Sequence, residues 1–167
     1  MKRKAQVWTA DFVIGLSLFL VVATASIALI INTNPGDNYQ YLYKDTIHLT
    51  SQLMSTGHPE NWNTTSVVIP GLLENKTRLS TSKLEEFKGI SYDRTKNLLQ
   101  TRHEYFFHFK NETGIINMSQ CNYGYNVETD ENCNPLLESL EYDNLVRIER
   151  ILIHNSQLTK MVVYSWN

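Results

Sequence analysis

The sequence predicts an α+β fold in which a long N-terminal helix precedes an antiparallel β-sheet. Apolar residues recur at helical spacing through the first half of the chain, and after Thr101 they alternate with polar residues as in a β-strand. Helices therefore come first and strands second, an order typical of α+β domains.

The first element is an apolar helix over residues 12–31. These twenty residues carry no charge and nothing more polar than Ser and Thr. As a helix they would extend about 30 Å, the thickness of a bilayer hydrocarbon core. The alternative, a buried helix of a soluble protein, is disfavoured because the stretch is apolar on every face. Lys2-Arg3-Lys4 directly precedes it, which predicts a cytoplasmic N-terminus and an exported C-terminal part.

A second, amphipathic helix is predicted after a break at residues 34–37, where Pro35 and Gly36 interrupt the apolar stretch and Asp37 can cap a new start. Gly57 and Pro59 would end it. Its apolar face consists of residues at three- and four-residue spacing, namely Tyr39, Leu42, Tyr43, Thr46, Ile47, Leu53 and Met54.

Two shorter helices complete the helical half of the domain. One is expected over residues 83–88, with Thr81 or Ser82 as its cap, and the other over residues 92–99. A polar loop that contains Trp62 separates them from the second helix.

The sheet half begins with a strand that we expect to be half-buried. One side of this strand should carry His103, Tyr105, Phe107 and Phe109, and the other Arg102, Glu104, His108 and Lys110. A turn at residues 111–114 leads to a partner strand over residues 115–118. Two apolar strands over residues 145–153 and 158–166, joined at Asn155-Ser156, close the domain.

The chain has two cysteines, Cys121 and Cys133. In an exported domain such a pair indicates a disulfide, whereas the alternatives are a half-built metal site or two free thiols. No His lies between them or close beside them, which favours the disulfide. Closing this loop would stabilise the domain by roughly 3 kcal/mol.

Charge and motifs argue against several classes of function. After Ile31 the chain has 12 Lys+Arg and 16 Asp+Glu, and this acidic balance disfavours a nucleic-acid partner. The five histidines show no metal-ligand spacing, and no nucleophile elbow, phosphate loop or dinucleotide turn is present. We therefore expect no enzyme activity, no metal and no cofactor.

Surface features are suggested by aromatic residues and by glycosylation motifs. Trp62, with Tyr123 and Tyr125, would either form an exposed binding surface or pack inside the domain. Four N-x-S/T sequons are candidate N-glycosylation sites and agree with an external location; they begin at Asn63, Asn75, Asn111 and Asn117.

The N-terminus allows two kinds of processing. An ordinary secretory signal would be cut after Ala23-Thr24-Ala25. The apolar stretch continues to Ile31, beyond that cut, which disfavours this interpretation. The other interpretation places the cut between Ala5 and Gln6, so that the helix stays in the mature protein.

The segment from Lys4 to Asp11, followed by the apolar stretch, resembles the class III (prepilin-type) signal of archaeal type IV pilins and archaellins. Ala5 matches the small residue before the cut, where the family often has Gly, and Gln6 matches the new N-terminus. Asp11 matches the acidic residue of the mature helix, at the sixth mature position instead of the usual fifth. Gly57-x-Pro59-x-x-Trp62, Gly71-Leu72 and the closing apolar strand resemble a widespread group of archaeal pilin-like proteins.

The resemblance implies a type IV pilin-like organisation: a cytoplasmic basic leader (residues 1–5), a transmembrane or filament-core helix (6–33) and an extracytoplasmic α+β domain (34–167). It implies a membrane aspartyl prepilin peptidase and other pilin-like subunits as partners, and a place in the cell membrane and then in a surface filament. The alternative is a permanently membrane-anchored binding module, such as an adhesin or a sensor ectodomain.

Overall fold

The computed structural model of the protein describes residues 3–32 and 36–167, with the side chains of residues 11–29 and 38–167. The chain forms two compact units, Met1–Asn38 and Tyr39–Asn167. The first unit contains helix α1 (Arg3–Asn32). Residues 34 and 35 of the predicted break, and the side chain of Asp37 that was predicted as a cap, lie outside the described part of the chain.

The other helices are α2 (Gly36–Leu53), α3 (Thr81–Lys88) and α4 (Tyr92–Leu98). Helix α2 ends four residues before Gly57. The predicted caps of α3 were wrong, because the cap is Ser80, whose side-chain oxygen accepts a hydrogen bond from the Lys83 amide at 3.4 Å. A hydroxyl one residue before the first helical turn reaches the free amides of that turn, which Thr81 and Ser82, already inside it, do not.

The strands are β1 (Glu104–Lys110), β2 (Ile115–Ile116), β3 (Tyr123–Gly124), β4 (Leu145–His154) and β5 (Gln157–Trp166). They form one sheet in the order β2-β1-β5-β4, and β3 also pairs with β1. All of these pairings are antiparallel, which confirms the α+β class with an antiparallel sheet. Asn155 and Ser156 form the β4–β5 turn with φ of 49° and 63°, a left-handed geometry that two-residue hairpins use.

One face of the sheet, here called the helix face, carries the main core. Tyr105, Phe107 and Phe109 of β1 are fully or almost fully buried on it, together with Met161 and Val163 of β5. The helices contribute Leu49 and Leu53 of α2 and Leu84 and Phe87 of α3 to the same cluster. The apolar spacing of these helices therefore directs one side of each onto the sheet.

The opposite face, here called the loop face, is also covered in part, so the prediction of a half-buried β1 was wrong. Phe106, Val162, Tyr164 and Trp166 form a second buried cluster there, closed by Val127. Leu137 and Leu140 pack against this cluster from the segment that precedes β4. Five consecutive residues of β1 are consequently buried, as expected of a strand that is covered on both faces.

The predicted apolar face of α2 needs a second correction. Leu42, Thr46 and Leu53 are fully buried, in agreement with the spacing. Tyr39 and Tyr43 are instead 47% and 46% exposed, and their rings stack on each other at 6.4 Å between centroids. A tyrosine one helical turn from another can cover its neighbour's ring without reaching the core.

Candidate functional site

The N-terminal helix is the feature that points most directly to a function. Asp11–Leu29 is a 19-residue stretch long and apolar enough to cross a membrane, and none of it is buried. It is the one such helix among the described residues. Length and composition alone support this statement, and a signal sequence near an N-terminus shares both properties.

The hydroxyl side chains within this stretch form hydrogen bonds inside the helix itself. The hydroxyl of Ser17 donates to the Val13 carbonyl at 2.8 Å, and that of Thr24 to the Leu20 carbonyl at 2.9 Å. Ser26 bonds in the same way to a carbonyl four residues earlier. Because these hydroxyls do not need water, they lower the cost of placing the helix in hydrocarbon.

The residues predicted for processing lie at the start of α1. Ala5 and Gln6 are within the helical backbone, and their side chains are outside the described part. Asp11 is the first residue with a described side chain, and it is exposed at the N-terminal end of the apolar stretch. The predicted cleavage point and the predicted helix acid therefore lie on one helix, less than two turns apart.

The Gly-Pro-Trp motif forms a compact structural unit. Trp62 is only 3% exposed, and its indole Nε1–H donates to the Gly71 carbonyl at 3.0 Å. Gly57 has a φ of +76°, and a Cβ there would lie 2.5 Å from Trp62 Nε1 and 2.7 Å from the Gly71 nitrogen. The residue at 57 must therefore be glycine, both for its backbone angle and for the space it leaves.

Two of the three residues considered for an aromatic binding surface lie in the core. Trp62 and Tyr123 are buried, and the Tyr123 hydroxyl donates to the Met118 carbonyl. Tyr125 alone is exposed, at 40%. A surface built from all three side chains is excluded, because two of them belong to the core.

Cys121 and Cys133 form a disulfide, with 5.1 Å between their Cα atoms. A tight turn begins at the end of the loop that it closes, where the Asp130 carboxylate accepts hydrogen bonds from the Asn132 and Asn134 amides, both at 2.8 Å. The bond therefore restrains a segment that has little regular structure of its own.

Three of the four predicted glycosylation sequons begin at an exposed asparagine. Asn63, Asn75 and Asn117 are exposed, and Asn111 is half-buried. The Asn63 side-chain oxygen accepts a hydrogen bond from the Thr65 amide at 3.0 Å, and Asn75 and Asn111 form the same kind of turn. Turns of this kind are ordinary loop structure, and whether the sequons carry sugar stays a prediction.

A polar cluster joins α4 to β1. Glu104 accepts hydrogen bonds from the Tyr92 hydroxyl at 2.5 Å and from Lys96 Nζ at 2.6 Å. Partial burial acts to raise the pKa of Glu104, but the hydrogen bonds from Lys96 and Tyr92 outweigh it and lower that pKa. Burial, followed by the hydrogen bond to Glu104, raises the pKa of Tyr92. Tyr92 and Lys96 are therefore both hydrogen-bonded to the Glu104 side chain, as in a structural link between α4 and β1.

His108 is a buried histidine that the sequence placed on a polar side of its strand. It is 4% exposed on the loop face, with its ring near those of Phe106 and Tyr164. Its Nδ1 atom has no hydrogen-bond partner among the described residues. Burial, followed by the positive charges of Lys110 and Arg147, lowers the pKa of His108 to about 4. The ring is therefore neutral at pH 7.

Glu149, in the middle of β4, lies between positively charged side chains. Lys110 and Lys160 are directly opposite each other on β1 and β5. The Glu149 carboxylate is 2.7 Å from Lys110 Nζ and 3.4 Å from Lys160 Nζ, and it also pairs with Arg147. Glu149 therefore pairs with one cation of its own strand, Arg147, and with one cation on each of two other strands, Lys110 and Lys160.

No group of three or more His, Cys, Asp or Glu side chains is placed to hold a metal ion, as far as the described residues extend. The adjacent acids Glu85 and Glu86 do not face each other: Glu85 pairs with Ser119 and Glu86 with Thr64. No protein-family model, curated protein or solved structure matches the chain.

Proposed function

We propose that this protein is a non-catalytic, type IV pilin-like subunit of a surface filament. The observation that carries the proposal is the exposed apolar helix α1 at the start of a chain whose remainder folds as a separate, disulfide-bonded α+β unit. An exposed stretch of this length needs an apolar environment, either lipid or other helices. The basic residues at 2–4 would hold the N-terminus in the cytoplasm and the domain outside.

On assembly, helix α1 would leave the lipid and pack among the helices of other subunits. Lipid tails are as apolar as the side chains of α1, so helix association in place of lipid contact depends on close packing and on polar pairing. The small residues Gly15, Ala23, Ala25 and Ala28 would allow helices of neighbouring subunits to approach closely. A charge inside such a bundle requires a partner, and the amine of a neighbour's N-terminus would pair with Asp11.

Processing would supply that amine. Hydrolysis of the peptide bond between Ala5 and Gln6 by a membrane aspartyl prepilin peptidase would release the basic leader and leave Gln6 with a free, positively charged amino group. The leader would be removed on the cytoplasmic side, and the whole apolar stretch would remain in the mature subunit.

The substitution Ala5→Tyr tests this proposal, with Ala5→Gly as the matched control because a bulky residue before the cut should block the peptidase and a small one should not. Wild type and Ala5→Gly should both yield filaments that contain the protein in a sheared surface fraction viewed by immunogold electron microscopy. Ala5→Tyr should leave uncut precursor in the membrane. Wild-type protein that keeps Met1 and is spread singly in the membrane would contradict the proposal and would support a permanently anchored binding module.

A further inference from the structure

A small polar cleft lies between the turn that joins α3 to α4 and the segment around β3. It has a volume of about 200 Å³ and is here called the amide cleft. Lys88 and Tyr92 line it from the helices, and Gln120, Asn122 and Asn126 line it from the segment around β3. Pockets for drug-sized ligands start at roughly 300 Å³, so this cleft has room for a single ring with short substituents.

The hydroxyl groups beside the amide cleft are occupied by hydrogen bonds within the protein. The Tyr92 hydroxyl donates to Glu104 at 2.5 Å and accepts from the Tyr105 amide at 3.1 Å. The Thr95 hydroxyl donates to the Tyr92 carbonyl at 2.7 Å and accepts from the Tyr105 hydroxyl at 2.6 Å. Tyr92 and Thr95 can therefore offer a ligand only ring and methyl surface, beside the buried side chains of Phe87 and Ile90.

The carboxamide groups of the amide cleft, in contrast, have free donors and acceptors. Gln120 and Asn126 form no side-chain hydrogen bond with any part of the chain that the structure describes. The Asn122 side-chain nitrogen donates to the Val127 carbonyl at 2.9 Å, which holds this side chain and leaves its oxygen as an acceptor. The disulfide at Cys121 lies between Gln120 and Asn122 in the chain and restrains this side of the cleft.

The amide cleft carries one positive charge and no negative one. Lys88, in the last turn of α3, is exposed and forms no ion pair with a described residue. No Asp or Glu is among the lining residues. The carboxylates of Glu85 and Glu104, which are next to the lining, both accept hydrogen bonds from other side chains. The cleft is therefore a positive site in a part of the chain where acids outnumber bases.

Charge narrows the class of ligand that fits. Phosphate sites gather several cations or a nest of backbone amides, whereas this cleft has a single lysine. A metal ion requires carboxylate, imidazole or thiolate ligands, and none of these lines the cleft. A mostly uncharged ligand that is rich in hydroxyl groups and carries one negative charge matches both the carboxamides and the lysine.

We infer that the amide cleft binds one sugar ring that carries a carboxylate, a hexuronic acid. Sugar hydroxyls donate and accept hydrogen bonds together, as carboxamides do, and the C–H face of the ring would pack on Tyr92. The carboxylate would pair with Lys88 in a charge-assisted hydrogen bond. A free hexuronic acid and the terminal unit of an acidic surface polysaccharide present this same chemistry. The inference goes beyond the proposed function, because neither α1 nor assembly takes part in the binding.

Calorimetric titration of the full-length protein, in a detergent whose headgroup is not a sugar, tests the site. Methyl glucuronide should bind with one sugar per chain. Methyl glucoside, which lacks the carboxylate, should bind about tenfold more weakly because one charge-assisted hydrogen bond is lost. Acetate, which has the carboxylate without the ring, should not displace the glucuronide at equal concentration. No saturable binding of the glucuronide, or equal affinity for the two sugars, would overturn the inference.

Charge variants at the surface of the cleft provide the second measurement. Lys88→Gln should lower the affinity for the glucuronide about tenfold, and Lys88→Arg, which keeps the charge, should bind it more tightly than Lys88→Gln does. Gln120→Glu should weaken the glucuronide more than the glucoside, because it places a negative charge beside the carboxylate. The matched control Lys44→Gln removes the charge of an exposed lysine on α2 and should bind like wild type. Wild-type affinity in Lys88→Gln, or an equal loss in Lys44→Gln, would refute the site.

NMR of the isotope-labelled protein in the same detergent checks where the sugar binds. The backbone amide signals of Gly124 and Asn126 should shift when the glucuronide is added, and those of Asn155 and Ser156 in the β4–β5 turn should stay in place. Shifts confined to segments outside the amide cleft would place the sugar elsewhere and overturn the inference.

The variant Ala5→Tyr separates this inference from the proposed function. Its uncut precursor has the same outer domain, so it should bind the glucuronide with wild-type affinity. Filaments formed by a protein that binds no glucuronide would overturn the sugar site and leave the pilin-like assembly standing. Glucuronide binding by a protein that keeps Met1 and never assembles would contradict the proposed function and leave the sugar site standing.

Discussion

Replacing His108 by Phe should remove the part of the pH dependence of the free energy of unfolding that this histidine causes between pH 6.5 and 4. In the folded protein the His108 pKa is lowered from its ordinary 6.5 to about 4. The unfolded chain therefore takes up a proton first as the pH falls, and His108 contributes stability that is complete above pH 6.5 and is lost as the pH falls towards 4. A difference of 2.5 pKa units corresponds to about 3 kcal/mol, an upper value for the effect.

The same substitution tests the cost of the unpartnered ring nitrogen. At pH 7 the variant should be within about 1 kcal/mol of wild type, because Phe loses no hydrogen bond and no longer buries the unsatisfied Nδ1 atom. The phenyl ring would join the aromatic side chains of Phe106 and Tyr164. Destabilisation by more than about 2 kcal/mol at pH 7 would indicate that His108 has a partner that this account omits.

The measurement is chemical unfolding of both proteins in detergent at a series of pH values between 8 and 4. The free energy of unfolding of wild type minus that of the variant should fall as the pH decreases, and this difference cancels the carboxylates that titrate in both proteins. A difference that stays flat would refute the buried neutral histidine. As a further control, Lys110→Gln should raise the His108 pKa measured by NMR, because the positive charge of Lys110 lowers that pKa more than the charge of Arg147 does.

Three further predictions concern the stability of the outer domain, each measured by the free energy of unfolding. Replacing Cys121 and Cys133 by Ser should lower it by about 3 kcal/mol, since the bond closes a loop with a sequence separation of 12; an unchanged value would mean that the bond does not restrain the unfolded chain. Trp62→Phe should cost about 1–3 kcal/mol by leaving a buried carbonyl without its donor, and a neutral result would show that water replaces the indole. Gly57→Ala should be more destabilising than Gly114→Ala, because both have positive φ but only the first has atoms within 4 Å of the new Cβ; equal effects would show that the backbone angle alone matters.

The regular elements of the fold could be predicted because their signals are local. The apolar stretch of α1 and the alternation in β4 and β5 depend on spacing within one segment. The turn at Asn155 and Ser156 was predicted for the same reason, and the structure confirms it.

The burial of particular side chains could not be predicted, because it depends on distant segments. For Trp62 the sequence left a surface position and a core position open, and the structure buries it against Gly71, nine residues away. His108 was assigned to a polar side, yet that side carries the second buried cluster, against which Leu137 and Leu140 pack from the segment before β4. Phe106, which interrupts the polar side of β1, was the one local sign that the second face was covered.

The site at the N-terminus was predicted from residue types and a resemblance, and its chemistry stays a prediction. The structure adds that Asp11 is exposed and that the hydroxyls of the apolar stretch bond within the helix. Packing among copies involves chains beyond this one, so the sequence of a single subunit specifies the surfaces but not their arrangement.

The decisive measurement is the intact mass of the protein purified from membranes and from the sheared surface fraction. In both fractions we expect a chain that begins at Gln6 and therefore retains the whole apolar helix, with any sugar on the sequons removed enzymatically before weighing. A mature chain that begins at Ser26 would have lost most of that helix and would be a secreted soluble domain, which contradicts the account.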